Sequence, residues 1–145
     1  MNILRVHAIS SVIGFAVILI FWTSTALVEL FGTHEMIVIV KQSIVWGMII
    51  LLPVMATISG SGFKLTGKRS DPLILAKKRR MMIIGPTGIL ILVPAAFYLN
   101  SLASKGLFGS SFQVVQDIEL IAGAVNLTLM GLNMRDGYRA SGRIP

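Results

Sequence analysis

Four apolar runs, each about as long as a bilayer is thick, constrain this chain more than any other feature. They cover residues 6–31, 36–58, 81–99 and 112–132, and an α-helix needs roughly 20 residues to cross a hydrocarbon core. A soluble fold cannot absorb them. With 54% hydrophobic and 13% charged residues and a mean hydropathy of +0.82, too few polar side chains remain to coat an aqueous surface. Only helices and closed barrels satisfy their backbone in lipid, and the runs lack the two-residue alternation of a barrel strand. The expectation is an all-α integral membrane four-helix bundle, antiparallel and up-down, forming a single membrane domain over residues 1–145. The first run is longer than a signal-peptide core and no A-x-A site closes it, so it reads as a retained helix.

Charge placement orients the bundle. Residues 60–80 carry Lys64, Lys68, Arg69, Lys77, Lys78, Arg79 and Arg80, the tail carries Arg135, Arg139 and Arg143, and Arg5 precedes the first run. The opposite side has only Lys105. Basic residues accumulate on the cytoplasmic side, so the N and C termini and a basic loop over 59–80 are expected there, in a bacterial-type inner membrane. The net charge of +7 lies where topology signals lie, which argues against nucleic acid and for anionic lipid headgroups as the partner of Lys77-Lys78-Arg79-Arg80. With no cysteine, disulfides, thiolate metal sites and cysteine nucleophiles drop out.

The connections are unequal. Residues 32–35 make a tight turn, and residues 100–111 form a modest loop. The Ser-Gly-Ser-Gly stretch inside 59–70 is expected to be the flexible segment. Pro53 and Pro94 should kink their helices. The ending Asn133-Met-Arg-Asp-Gly137 reads as a helix terminus with Gly137 just past its end.

Polar residues at membrane depth carry the functional information. Gln116, Glu119, Gly123, Asn126, Met130 and Asn133 recur at spacings of 3, 4, 3, 4 and 3, which is one face of a helix. Polar or small at five of six positions, that face must turn inward. His7, Ser11, Gly14, Thr25 and Glu29 make a related face on the first helix. At about 1.5 Å per residue, Glu29, Lys41 and Glu119 all fall within roughly 10 Å of the outer boundary. They are expected to form a buried acid–base cluster with Gln116 as an added partner, since a membrane-depth lysine needs a counter-charge. The cluster serves equally as a structural lock or as a proton site.

The two histidines fall on opposite sides by the same reckoning, His7 at the cytoplasmic end and His34 in the outer turn. They cannot be the two axial ligands of one haem. His7 reads either as an interfacial residue or as a partner of Lys77 or Lys78. His34 with Glu35, and Glu29 below, offers at most a sparse divalent-metal site. No hydrolase, kinase, zinc or nucleotide fingerprint appears, and Gly60-x-Gly62 lacks the remainder of a dinucleotide loop.

The stretch Arg5-Val-His-Ala-Ile-Ser-Ser-Val-Ile-Gly-Phe15 resembles the first helix of HemJ-type (protoporphyrinogen oxidase-like) membrane proteins, a likeness that spans one helix of the four. The resemblance implies a small inner-membrane bundle linked to protoporphyrinogen oxidation and haem binding. It would place His7 at the family's early histidine, Lys77 or Lys78 at its later lysine, and a b-type haem or porphyrin as cofactor. The other reading is a non-catalytic subunit of a membrane complex, or a small transporter, built around the Glu29–Lys41–Glu119 cluster and Asn126. Its partners would be lipid, other membrane subunits or a second copy of the chain.

Overall fold

The computed structural model describes residues 1–140 and 142; Arg143 of the basic tail lies outside them. Four spans cross the bundle, each long and apolar enough for a membrane, and no strand occurs among the described residues. They are α1 (Ile3–Phe31), α2 (His34–Thr66), a third span made of α3 (Pro72–Thr87) and α4 (Val93–Ser104), and α5 (Ser110–Ala140). Neighbours run α1–α2, α2–third span, third span–α5 and α5–α1, closing a ring. α2 and α5 therefore stand on one diagonal. The start of α1, the end of α5 and the α2–α3 turn share one end, here the basic end; the α1–α2 and α4–α5 turns share the other, the far end.

Local chemistry explains the ends. Asn2 Oδ1 accepts the Leu4 N–H at 3.1 Å to start α1, and Thr33 Oγ1 accepts the Met36 N–H at 3.3 Å to start α2. These hydroxyl and amide caps satisfy donors that a first helical turn leaves free. α2 stops at Gly67, whose φ of +49° suits a residue without a Cβ. Pro72 opens α3 in the first turn, where its missing N–H costs nothing.

The third span is interrupted by a π turn, Gly88–Leu92, in which the Val93 N–H reaches back five residues to the Gly88 carbonyl. Pro94 supplies the cause. It has no N–H for the carbonyl four residues earlier, and its ring crowds that carbonyl, so the helix widens just before it.

Two expectations change. The segment 59–66 is not flexible loop but the last two turns of α2. Ser61 Oγ bonds the Thr57 carbonyl at 2.6 Å and Thr66 Oγ1 bonds the Gly62 carbonyl at 3.0 Å, folding the hydroxyls onto the helix. Gly62 is buried because Met81 and His7 lie over it; an added Cβ would sit 2.7 Å from the Met81 methyl carbon. The basic loop thus shrinks to the turn between Thr66 and Pro72. Gly137, likewise, is not past a helix end, because α5 continues to Ala140.

The apolar material divides by layer. A central cluster joins Ile18, Ile44, Met48, Leu51, Ile84, Ala96 and Met130. A second, nearer the far end, joins Val28, Ile37, Leu99, Ala103 and Phe112. Outside, Ile20, Trp46, Ile49, Met82, Leu90 and Ile121 are all more than 60% exposed. Such a surface fits hydrocarbon and would be an aggregation liability in water.

Trp22 shows how closely α1 and α5 approach. Its Nε1–H donates to the Leu120 carbonyl at 2.8 Å, and a Cβ on Gly123 would lie 2.8 Å from Trp22 Cδ1. Gly123→Leu should therefore cost about 1–3 kcal/mol through overpacking and shift Trp22 emission. Gly60→Ala, at an exposed helical site with nothing within 4 Å of the new Cβ, should stabilise by up to about 1 kcal/mol. Thermal unfolding in detergent checks both, and a Gly123→Leu protein melting with the parent would contradict the close approach.

Candidate functional site

The inward face of α5 organises the polar groups. Gln116, Gly123, Asn126, Met130 and Asn133 are buried and Glu119 half-buried, as hydrogen-bonding side chains in lipid require. The stripe runs one step further than expected, to Asp136, which is 2% exposed.

Toward the far end, Lys41 crosses the diagonal from α2. Its Nζ, on a residue 1% exposed, donates to Glu119 Oε2 at 2.9 Å, and Gln116 Nε2 donates to the same oxygen at 3.3 Å. Hydrogen bonds thus join three of the four expected cluster members, and the fourth, Glu29, lies within electrostatic reach of Lys41 and Glu119. Glu29 comes to the same level but makes no hydrogen bond, and its Oε1 is buried without a partner. Gln116 Oε1 and Thr25 Oγ1 are also buried and unpartnered. Reversing the Gln116 amide would not help, because it would set oxygen against the Glu119 carboxylate. Asn126 stands apart from this group. Its Nδ2 donates to the Ile84 carbonyl at 3.3 Å, beside the π turn.

The outer turn offers little to a metal. The His34 ring stacks on Phe108 with centroids 4.0 Å apart, and Phe108 meets Phe112 edge-on. Among the described residues, no three His, Asp or Glu side chains come together as ligands, so the expectation for His34, Glu35 and Glu29 is not met.

The basic end is built differently. A cavity of about 510 Å³ opens between all four spans, within the roughly 300–1,000 Å³ typical of small-ligand sites. His7 is buried in its wall. Its Nδ1 lies 2.9 Å from Ser61 Oγ. With the single Ser61 hydrogen assigned to the Thr57 carbonyl, a neutral His7 carries its proton on Nδ1 and keeps the lone pair on Nε2.

The basic run 77–80 also separates residue by residue. Lys77 lines the cavity with His7. Lys78 does not: its Nζ bonds the Gly67 carbonyl at 2.7 Å and the Arg69 carbonyl at 3.1 Å, tying the turn to α3. Arg80 bonds Asp136 Oδ2 at 2.5 Å and Asn133 Oδ1 at 3.3 Å, while Arg135 takes the other Asp136 oxygen at 3.0 Å. Of the four, Arg79 is exposed and the other three are half-buried. Asp136 and Arg80 were missed by the sequence reading. The available signal was the stripe itself, since Asp136 follows Asn133 by three residues.

Removing one partner of the diagonal pair should cost more than removing all its charges, because an unpaired buried charge is the expensive state. Lys41→Met alone is expected to lose about 3 kcal/mol or more, and the triple variant with Glu29→Gln and Glu119→Gln distinctly less. Equal losses in thermal unfolding would show that these groups are not paired. Comparisons with protein-family models, curated proteins and solved structures returned no match to this chain.

Proposed function

We propose that this chain is a small non-catalytic membrane protein, a transporter or a ligand-binding subunit of a membrane complex, whose binding site is the cavity at the basic end. The observation that carries this reading is the asymmetry between the two halves of the bundle. One half holds a 510 Å³ opening. The other is filled by Val28, Ile37, Leu99, Ala103 and Phe112 and crossed by the Lys41–Glu119 pair. A site reached from one face only is what a carrier in one of its states, or a receptor subunit, presents. By the distribution of Lys and Arg the open face is cytoplasmic in a bacterial-type inner membrane.

The absence of native cysteine makes the test direct. Gly85 lines the cavity and a Cβ there meets nothing within 4 Å, whereas Ala103 is 1% exposed in the closed half. Gly85→Cys should react with a membrane-impermeant maleimide in inverted vesicles and not in right-side-out vesicles; Ala103→Cys should react in neither. Labelling of Gly85→Cys from the outside, or from no side, would contradict the reading.

One observation favours a second reading, a haem- or porphyrin-binding protein of the HemJ type. His7 Nε2 is left with its lone pair on a cavity that Lys77 also lines, so His7 and Lys77 fit as ligands and Lys78 does not. Bound haem would supply one-electron chemistry; the chain would supply His7 orientation through Ser61 and exclusion of water by the apolar wall. Hemin added to purified protein should then give a Soret band that His7→Ala abolishes. A spectrum unchanged from free hemin would remove this reading.

A further inference from the structure

We infer that the cavity takes a single-chain anionic amphiphile from the adjoining leaflet, with its carboxylate or phosphate at the cationic rim and its chain among the methionines. The inference rests on the cavity being the ligand site.

Charge comes first. Arg5 of α1, Arg69 of the α2–α3 turn and Lys77 of α3 all line the cavity, and among the described residues no Asp or Glu does. Asp136 has both oxygens engaged by Arg80 and Arg135 and acts on Lys77 only through space. Arg69 holds Asp71 at 2.8 Å, but both side chains are more than half exposed, and such a pair is weak and readily exchanged. An anionic ligand would add the carboxylate or phosphate that the lining itself does not supply.

Deeper in, the wall becomes apolar and deformable. Met55, Met81, Met130 and Met134 line it with Ile58 and Ile84. Unbranched thioethers adjust to a flexible chain better than branched residues do. From Met55 to Thr66 the wall follows α2 for eleven residues, about 16 Å at 1.5 Å per residue. The polar rim and apolar interior therefore match a molecule with one charged end.

The route comes from a second hollow, bounded by Ala8, Ile9, Val12, Ile13 and Tyr138. It shares Ala8, Ile9 and Tyr138 with the cavity, while Ile9, Val12 and Ile13 are 42–50% exposed on the outer surface of α1. The cavity and this outer hollow thus meet at the Ala8, Ile9 and Tyr138 side chains, between α1 and the end of α5. A chain already in the leaflet can enter there without leaving its apolar surroundings, while its headgroup stays at the level of Arg5 and Arg69.

The test is a fluorescence titration of the full chain in zwitterionic nanodiscs, with empty discs subtracted, using cis-parinaric acid and its methyl ester. The acid should bind saturably and about tenfold more tightly than the ester, the scale of a charge-assisted hydrogen bond. Lys77→Gln combined with Arg5→Gln should bring the affinity for the acid down toward that for the ester. Gly85→Leu, which gains helix propensity and projects into open space, should abolish binding of both probes. Equal binding of acid and ester, with both lost in Gly85→Leu, overturns the anionic class and leaves the cavity as the ligand site. No saturable binding, or binding indifferent to Gly85→Leu, overturns both.

Discussion

The Lys41 ammonium, 1% exposed and bonded across the bundle diagonal to Glu119, is the contact on which the rest of the arrangement depends. An ammonium at that depth is tolerated only with a partner, and the partner is not on an adjacent helix. α2 and α5 do not touch as backbones among the described residues, so the pair fixes the rotation of both helices about their axes. Once Glu119 faces the centre, helical geometry turns Gln116, Gly123, Asn126, Met130, Asn133 and Asp136 inward with it. Lipids offer little drive for helices to associate, and packing with interhelical hydrogen bonds supplies it. The inward stripe therefore acts as the spine of the bundle: Trp22 of α1 reaches the Leu120 carbonyl on its flank, Lys41 of α2 meets Glu119, and the third span contributes Arg80 and the Ile84 carbonyl.

The same spine divides the molecule into two functional halves. Toward the far end, bulky residues close around the ion pair, and four buried acceptors, Thr25 Oγ1, Glu29 Oε1, Asn100 Oδ1 and Gln116 Oε1, lack protein donors. Buried polar atoms of this kind are ordinarily satisfied by internal water. Toward the basic end, Arg80 and Arg135 hold Asp136, and Lys77, Arg5 and Arg69 line the cavity with no Asp or Glu among the described lining residues.

Much of this was legible in the residues themselves. The lengths of the apolar runs determine a four-helix bundle, the 3–4 spacing identifies the inward face of α5, and the rise per residue puts Lys41 level with Glu119. Other features rest on contacts that spacing does not encode. Ser-Gly-Ser-Gly reads locally as a breaker, but becomes helix because Ser61 serves His7 and because Met81 needs the space over Gly62. Lys77 and Lys78 are chemically identical neighbours, and a rotation of about 100° per residue sends one to the cavity and the other to the turn. Glu29 has the right depth but not the direction to hydrogen-bond Lys41. Pro94 is legible as a helix breaker, but not the form that the break takes, a π turn over Gly88–Leu92.

The most direct measurement of this account is a charge exchange across the diagonal, comparing thermal unfolding of Lys41→Glu, Glu119→Lys and the double variant in the same detergent. Each single exchange buries two like charges against each other and should prevent stable folding. The double exchange restores opposite charges on the same two helices and should recover most of the parent stability. A double variant no more stable than the two singles combined would show that the pair does not fix the bundle.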